Sequence, residues 1–182
     1  MIRKYVLGDW YCRWYNYSAD DFRNLVNGYK EHDFPLDIMV WIWVGIGWML
    51  LMDSGHVGMY GWTGYSWDKE YIPDPKELLK EFKDDHIYVT LNDHPHDGVR
   101  NHEDMYPEFM RSPGKDPSSN INLPFNAGDK NYMEAFFKYG HDPIEKMGVA
   151  FWWGRLAARS YLSICIWLPL FETFAMAQLL IL

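Results

Sequence analysis

Gly148-Val149-Ala150-Phe151-Trp152-Trp153 runs directly into Gly154-Arg155-Leu156-Ala157-Ala158-Arg159, and the reading of the chain turns on that junction. The first stretch is a short apolar run bounded by glycines, the pattern of a strand buried on both faces. Such strands belong to parallel sheets covered by helices. The second stretch is basic, and it opens a tail of a different kind. From Ser160 to Leu182 the only charged side chain is Glu172.

Working back from Val149–Trp153, strand and helix patterns alternate. A first strand is expected over Tyr5–Arg13. Ser18 then starts a helix, with Asp21 placed to complete a Ser-x-x-Asp capping box. Phe22, Leu25, Val26 and Tyr29 share one face of that helix. Asp33-Phe34-Pro35 ends it, and Leu36–Trp43 reads as the next buried strand. A Gly- and Trp-rich loop comes next, from about Gly45 to Tyr71. Asp74 and Pro75 open a helix with Leu78, Leu79 and Phe82 on one stripe. His86–Asn92 is a strand with Ile87, Val89 and Leu91 alternating. A polar connection spans Asp93–Asn126. Asp129 caps a helix holding Met133, Phe136 and Phe137, which Gly140 and Pro143 interrupt or end. Repeated strand–helix units predict a parallel sheet. The long loops come after strands, the side on which a (β/α)8 barrel places its active site. A whole barrel takes roughly 250 residues, and this chain has 182.

The totals narrow the function. Aromatic residues make up 18% of the chain, with 10 Trp and 13 Tyr, which suits stacking on sugar faces as well as a heavy core. A net charge of −8 excludes an ordinary nucleic-acid partner. Cys12 and Cys165 make neither a metal spacing nor a disulfide framework. His94-x-His96, with His102, Asp97, Glu103 and Asp104 nearby, is rich in ligand types. It lacks a further ligand at helix spacing, so no metal site is expected. There is no GxGxxG, GxxxxGK[ST] or Gly-x-Ser-x-Gly motif, and no cofactor is implied.

Five segments, in order, resemble glycoside hydrolase family 31, the retaining α-glucosidase and α-xylosidase group. Leu7-Gly8-Asp9-Trp10-Tyr11-Cys12-Arg13 resembles its first barrel strand. Tyr17–Asp21 and Asp33–Asp37 resemble its first helix and the lead into its second strand. Gly61-Trp62-Thr63-Gly64-Tyr65-Ser66-Trp67 resembles the loop after that strand. Leu91–Arg100 resembles the loop after the third, and Gly148–Trp153 the strand that presents the nucleophile. The resemblance implies an α/β fold, a partial (β/α)8 TIM barrel with about the first four strands. The barrel half is expected over residues 1–154 and an apolar tail over 155–182. The resemblance also implies α-linked glycosides as substrates and a double displacement between two carboxyl groups about 5–5.5 Å apart.

Two departures are severe. Where the family has Asp-Met-Asp-Trp-His, this chain has Ile42-Trp43-Val44-Gly45-Ile46. Where it has Leu-Asp-Trp-Gln-Gln after the strand, this chain has Gly154-Arg155-Leu156-Ala157-Ala158. The nucleophilic Asp expected near Arg155-Leu156 is absent, and a guanidinium accepts nothing and stays protonated. Both departures fit a shifted reading frame. If Arg155–Arg159 is encoded CGA CTG GCA GCA AGA, a shift of one base reads Asp-Trp-Gln-Gln. If Ile42–Ile46 is encoded ATA TGG GTT GGC ATA, joining it to a preceding G reads Asp-Met-Gly-Trp-His. The tail is then out-of-frame sequence, and the frame is restored before Gly61. Taken as genuine, residues 160–182 are long enough to span a membrane, although Pro169 and Glu172 oppose it.

The resemblance leaves sugar-facing candidates: Trp41, Trp62, Asn92, His94, Asp97 and Trp153. Each has a structural alternative. Trp41 and Trp153 suit a barrel core, and Asn92, His94 and Asp97 suit turn chemistry around His94-Pro95 and Asp97-Gly98. Trp62, Tyr65 and Trp67 suit either the rim of the site or packing over it. The expected partner is a carbohydrate, and the expected chain is inactive as written. The rival expectation is a non-catalytic carbohydrate-binding chain, membrane-anchored if the tail is genuine. A third is a chain with no stable fold, since half a barrel leaves two open strand edges.

Overall fold

Four strands lie parallel and in sequential order: β1 (Trp10–Cys12), β2 (Ile38–Trp41), β3 (Tyr88–Asp93) and β4 (Phe151–Gly154). The computed structural model describes residues 2–13, 15–42, 65–95, 98–112 and 114–154. Helices α1 (Ala19–Glu31), α2 (Pro75–Asp84), α3 (Tyr106–Arg111), α4 (Lys130–Ala135) and α5 (Asp142–Met147) fill the connections. Parallel pairing with helical crossovers is half of a (β/α)8 barrel.

The start signals work as read. Ser18 Oγ accepts from the Asp21 N–H at 3.2 Å, and Asp21 Oδ2 accepts from the Ser18 N–H at 2.9 Å. Asp74 caps α2 through the Glu77 N–H, with Pro75 at the first position. The stop signals are less ordinary. Asp33 and His86 take left-handed φ values of 53° and 63°. Each lets the next N–H reach back to its helix, Phe34 to the Tyr29 carbonyl and Ile87 to the Phe82 carbonyl.

Three elements differ from expectation. The strand expected over Tyr5–Arg13 begins as a tight turn over Lys4–Leu7, because Gly8 lies against Asp37. A Cβ on Gly8 would meet Asp37 Oδ2 at 2.1 Å, and that carboxylate accepts the Asp9 N–H at 2.9 Å. The polar connection after β3 contains α3, whose Tyr106, Phe109 and Met110 are buried at helical spacing. Gly140 and Pro143 do not end the fourth helix. It passes through a π turn over Phe136–His141 into α5. Pro143 falls in the first turn of α5, where its missing N–H is not needed.

The two faces of the sheet are distinct. Met39, Trp41, Val89, Leu91 and Trp152 belong to one buried cluster with Phe22, Val26, Leu78, Leu79 and Phe82 of the helices. The alternate residues therefore face the concave side. There Tyr5 stacks on Tyr88 at 3.8 Å, and Trp10 of β1 meets Phe151 of β4 edge-on at 5.6 Å. A contact between the two outer strands requires a strongly curled sheet, as barrel closure demands. Among the described residues no helix is long and apolar enough to cross a membrane. The tail from Arg155 onward lies outside them.

Candidate active site

The carboxyl ends of the four strands form the floor of the candidate site, and alternation decides which side chains can reach a ligand there. Register pairs Asn92 with Trp153, and Val40 with Thr90. These share the concave side, where the half-buried Trp153 and the nearly buried Asn92 stand side by side. His94 comes just after β3 and is 9% exposed.

Trp41 packs among the helices. It pairs in register with Leu91, on the helix side, and is fully buried. Its ring stacks on Phe22 at 4.5 Å and meets Trp67 and Phe82 edge-on. Tyr65 and Trp67 likewise serve packing, at 2% and 7% exposure. Trp62, His96, Asp97, Arg155 and Leu156 lie outside the described residues.

Tyr65 and Ser66 carry a clamp that sequence reasoning missed. The Tyr65 hydroxyl donates to Asp93 Oδ1 at 2.6 Å, and the Ser66 hydroxyl to Glu103 Oε2 at 2.7 Å. Both carboxylates are buried. Burial, and then the charge of Asp93, raise the Tyr65 hydroxyl well above its ordinary range, so it remains a donor. The loop after β2 is thereby tied to the loop after β3. Asp93 Oδ2 lies 3.2 Å from Nε2 of the fully buried His141. Adjacent Asn92 and Asp93 thus have opposite roles: alternation sends one to the concave side and the other into the helix layer.

A second missed group stands at the end of β1. The Tyr11 and Tyr17 hydroxyls share a short hydrogen bond, and Arg13 sits over the exposed Tyr15 ring at 5.1 Å. Burial and the Tyr17 hydroxyl push Tyr11 up to about 12. The signal available was the aromatic run Trp10-Tyr11…Trp14-Tyr15…Tyr17 across a strand end.

The described strands set which side chains line the concave side. The concave side of the described strands carries Trp10, Cys12, Ile38, Val40, Tyr88, Thr90, Asn92, Phe151 and Trp153, none of them an acid. Asp93 is turned away from it. Among the described residues no group of three His, Cys, Asp or Glu side chains could hold a metal ion.

Known proteins share this fold. The glycosyl hydrolases family 31 TIM-barrel domain matches residues 1–172. The chain belongs to glycoside hydrolase family 31. The family match covers both severe departures and continues past Gly154 into the tail. An alpha-xylosidase of Saccharolobus solfataricus is 26% identical over 81 residues, 44% of this chain and 10% of the relative. Alpha-xylosidase XylQ of Lactiplantibacillus pentosus is 30% identical over 76 residues, 42% of this chain and 8% of the relative. The chain therefore matches about a tenth of the length of these relatives. A family 31 alpha-xylosidase from a soil metagenome, solved with xylose, superposes with a TM-score of 0.60 at 18% identity, covering 84% of this chain and 22% of that one. That likeness establishes the shared half-barrel fold.

Proposed function

We propose that this chain is the first half of a retaining α-glycosidase barrel that, as written, binds α-linked glycosides without hydrolysing them. The observation that carries the reading is the end of β4. Trp153 stands on the concave side next to Asn92, and the next residue of that alternation in the sequence is Arg155, where the family resemblance puts the attacking carboxylate. A retaining enzyme needs that carboxylate and a second carboxyl group as acid and then base. The resemblance puts the second beyond this stretch of chain. Trp153 supplies an apolar ring for a sugar face, and Asn92 and His94 supply donors and acceptors for its hydroxyls. Arg13 and Tyr15, at the end of β1, extend the polar and aromatic rim. The relatives' names favour α-xylosides as probes, and the family resemblance adds α-glucosides.

The test has two arms. Purified chain is incubated with p-nitrophenyl α-D-xylopyranoside and α-D-glucopyranoside, and methyl α-D-xylopyranoside is titrated against its Trp resonances. Shifts in Trp153 without p-nitrophenol release support the reading. Release of p-nitrophenol that survives Trp153→Ala and Asn92→Ala overturns it. The second reading, a shifted frame, is favoured because both departures can be encoded by codons that, moved by one base, read Asp-Met-Gly-Trp-His and Asp-Trp-Gln-Gln. Sequencing the coding DNA across codons 40–60 and 150–182 decides it.

A further inference from the structure

We propose that His141 is a positioning residue for the strand-end site, locking the ends of β3 and β4 to each other from behind the sheet. The proposal rests on the reading that a sugar binds on the concave side of those ends. His141 is 1% exposed. Its imidazole stacks on the Trp152 indole at 4.2 Å and 18°, and its Nε2 lies 3.2 Å from Asp93 Oδ2. One ring thus touches both strands. Each residue it touches is the chain neighbour of a sugar-facing one: Asp93 comes after Asn92, and Trp152 precedes Trp153. Asn92 and Trp153 are themselves register partners. A shift of His141 moves both backbones at the point where the site depends on their relative depth.

The surroundings hold the ring in one place. Tyr65 donates to the other oxygen of Asp93, and Glu145 accepts the Trp152 indole N–H at 2.9 Å. Phe136 and Phe137 pack on His141 at 4.8 and 5.2 Å. Delivery comes from the π turn over Phe136–His141. A π turn inserts a residue into an α-helix and rotates the helical turns beyond it, and such turns recur where a helix must aim a side chain. Here the wide turn seats Gly140 against Met105, where a Cβ would meet Sδ at 2.8 Å. That close seat sets the depth of His141.

The proposal separates two properties of the imidazole, the flat face on Trp152 and the polar edge toward Asp93. His141→Phe keeps the face and removes the edge. Asp93→Asn removes the carboxylate charge at nearly constant shape. His141→Gln restores a polar edge without the ring. The full chain and the three variants are compared by thermal melting, near-ultraviolet circular dichroism and the indole N–H resonances of Trp152 and Trp153. Methyl α-D-xylopyranoside is then titrated into each.

The expected result is that His141→Phe and Asp93→Asn melt cooperatively, shift both indole resonances without sugar, and weaken sugar binding at least tenfold. His141→Gln is expected to recover part of that binding. Should His141→Phe fail to fold, Asp93→Asn carries the same comparison. If the unliganded Trp153 resonance of a folded variant superposes on that of the parent, the positioning role is refuted. If the parent shows no sugar-induced shift while the variants still displace Trp153 without sugar, the positioning role stands and the sugar-site reading falls.

Discussion

Replacing Trp41 distinguishes a core residue from a sugar platform. Trp41 is fully buried among Phe22, Trp67 and Phe82. Truncating such a ring costs about 3–5 kcal/mol in transferred area and residual cavity. With a urea slope of roughly 2 kcal/mol per M, a loss of about 4 kcal/mol lowers the midpoint of Trp41→Ala by about 2 M. That is a large share of the roughly 5–15 kcal/mol that stabilises an ordinary domain. Trp41→Phe should behave differently. It gives up roughly 40 Å² of apolar ring, about 1 kcal/mol at ~25 cal/mol per Å². It also removes a buried indole N–H that has no hydrogen-bond partner among the described residues, and relieving such a donor returns about 1–3 kcal/mol. The net lies at about 0–2 kcal/mol in favour of the variant, so Trp41→Phe should unfold within about 2 kcal/mol of the parent. Urea denaturation monitored by circular dichroism reads both variants, and calorimetric titration with methyl α-D-xylopyranoside reads binding. An unchanged midpoint for Trp41→Phe with tenfold weaker sugar binding would refute the reasoning, because it would put the ring against the ligand.

Gly98→Ala should destabilise the loop after β3 by about 2–4 kcal/mol, combining a left-handed backbone with lost bridge hydrogen bonds. The φ there is 72°, and a Cβ would meet the Leu123 carbonyl oxygen at 2.0 Å. Faster amide exchange at Val99 and Leu123, whose N–H groups form the bridge, is the readout. Ser18→Ala should cost about 1 kcal/mol at neutral pH through the lost cap. The Ser18 hydrogen bonds hold the Asp21 carboxyl below its ordinary range, so their stabilisation is present above that range. It is lost as pH falls through the depressed value, so the melting difference between Ser18→Ala and the parent should shrink in acid. Tyr11, pushed up to about 12, gives the opposite sign. Its contribution is full below the ordinary tyrosine range and is lost as pH rises toward about 12, and absorbance near 295 nm should show this ionisation late. Trp153→Ala and Asn92→Ala should each weaken methyl α-D-xylopyranoside binding while shifting the melting temperature less than Trp41→Ala does.

The sheet and its order were legible because each unit carries its own punctuation. Ser18 with Asp21, and Asp74 with Pro75, mark helix starts by hydrogen bonds within a few residues, so local sequence suffices. Long-range contacts were not legible. Gly8 ends the tight turn because Asp37, distant in sequence, fills the space a side chain would take. The helix through Gly140 continues because Met105 seats it. The side on which Trp41 lies depends on the register of β2 against β3, since a one-residue slip reverses every side chain. Asp93 and His141 gave no signal as a pair, because neither residue carries a spacing that points to the other.

The aromatic contact between Trp10 and Phe151 also bears on how the chain is made. Because β1 and β4 touch through their inward side chains, the arc of the sheet is set by residues synthesised before any later part of a parent barrel. A ribosome releasing these units in order would present a pre-bent template. Later strands would join an edge whose radius is already fixed.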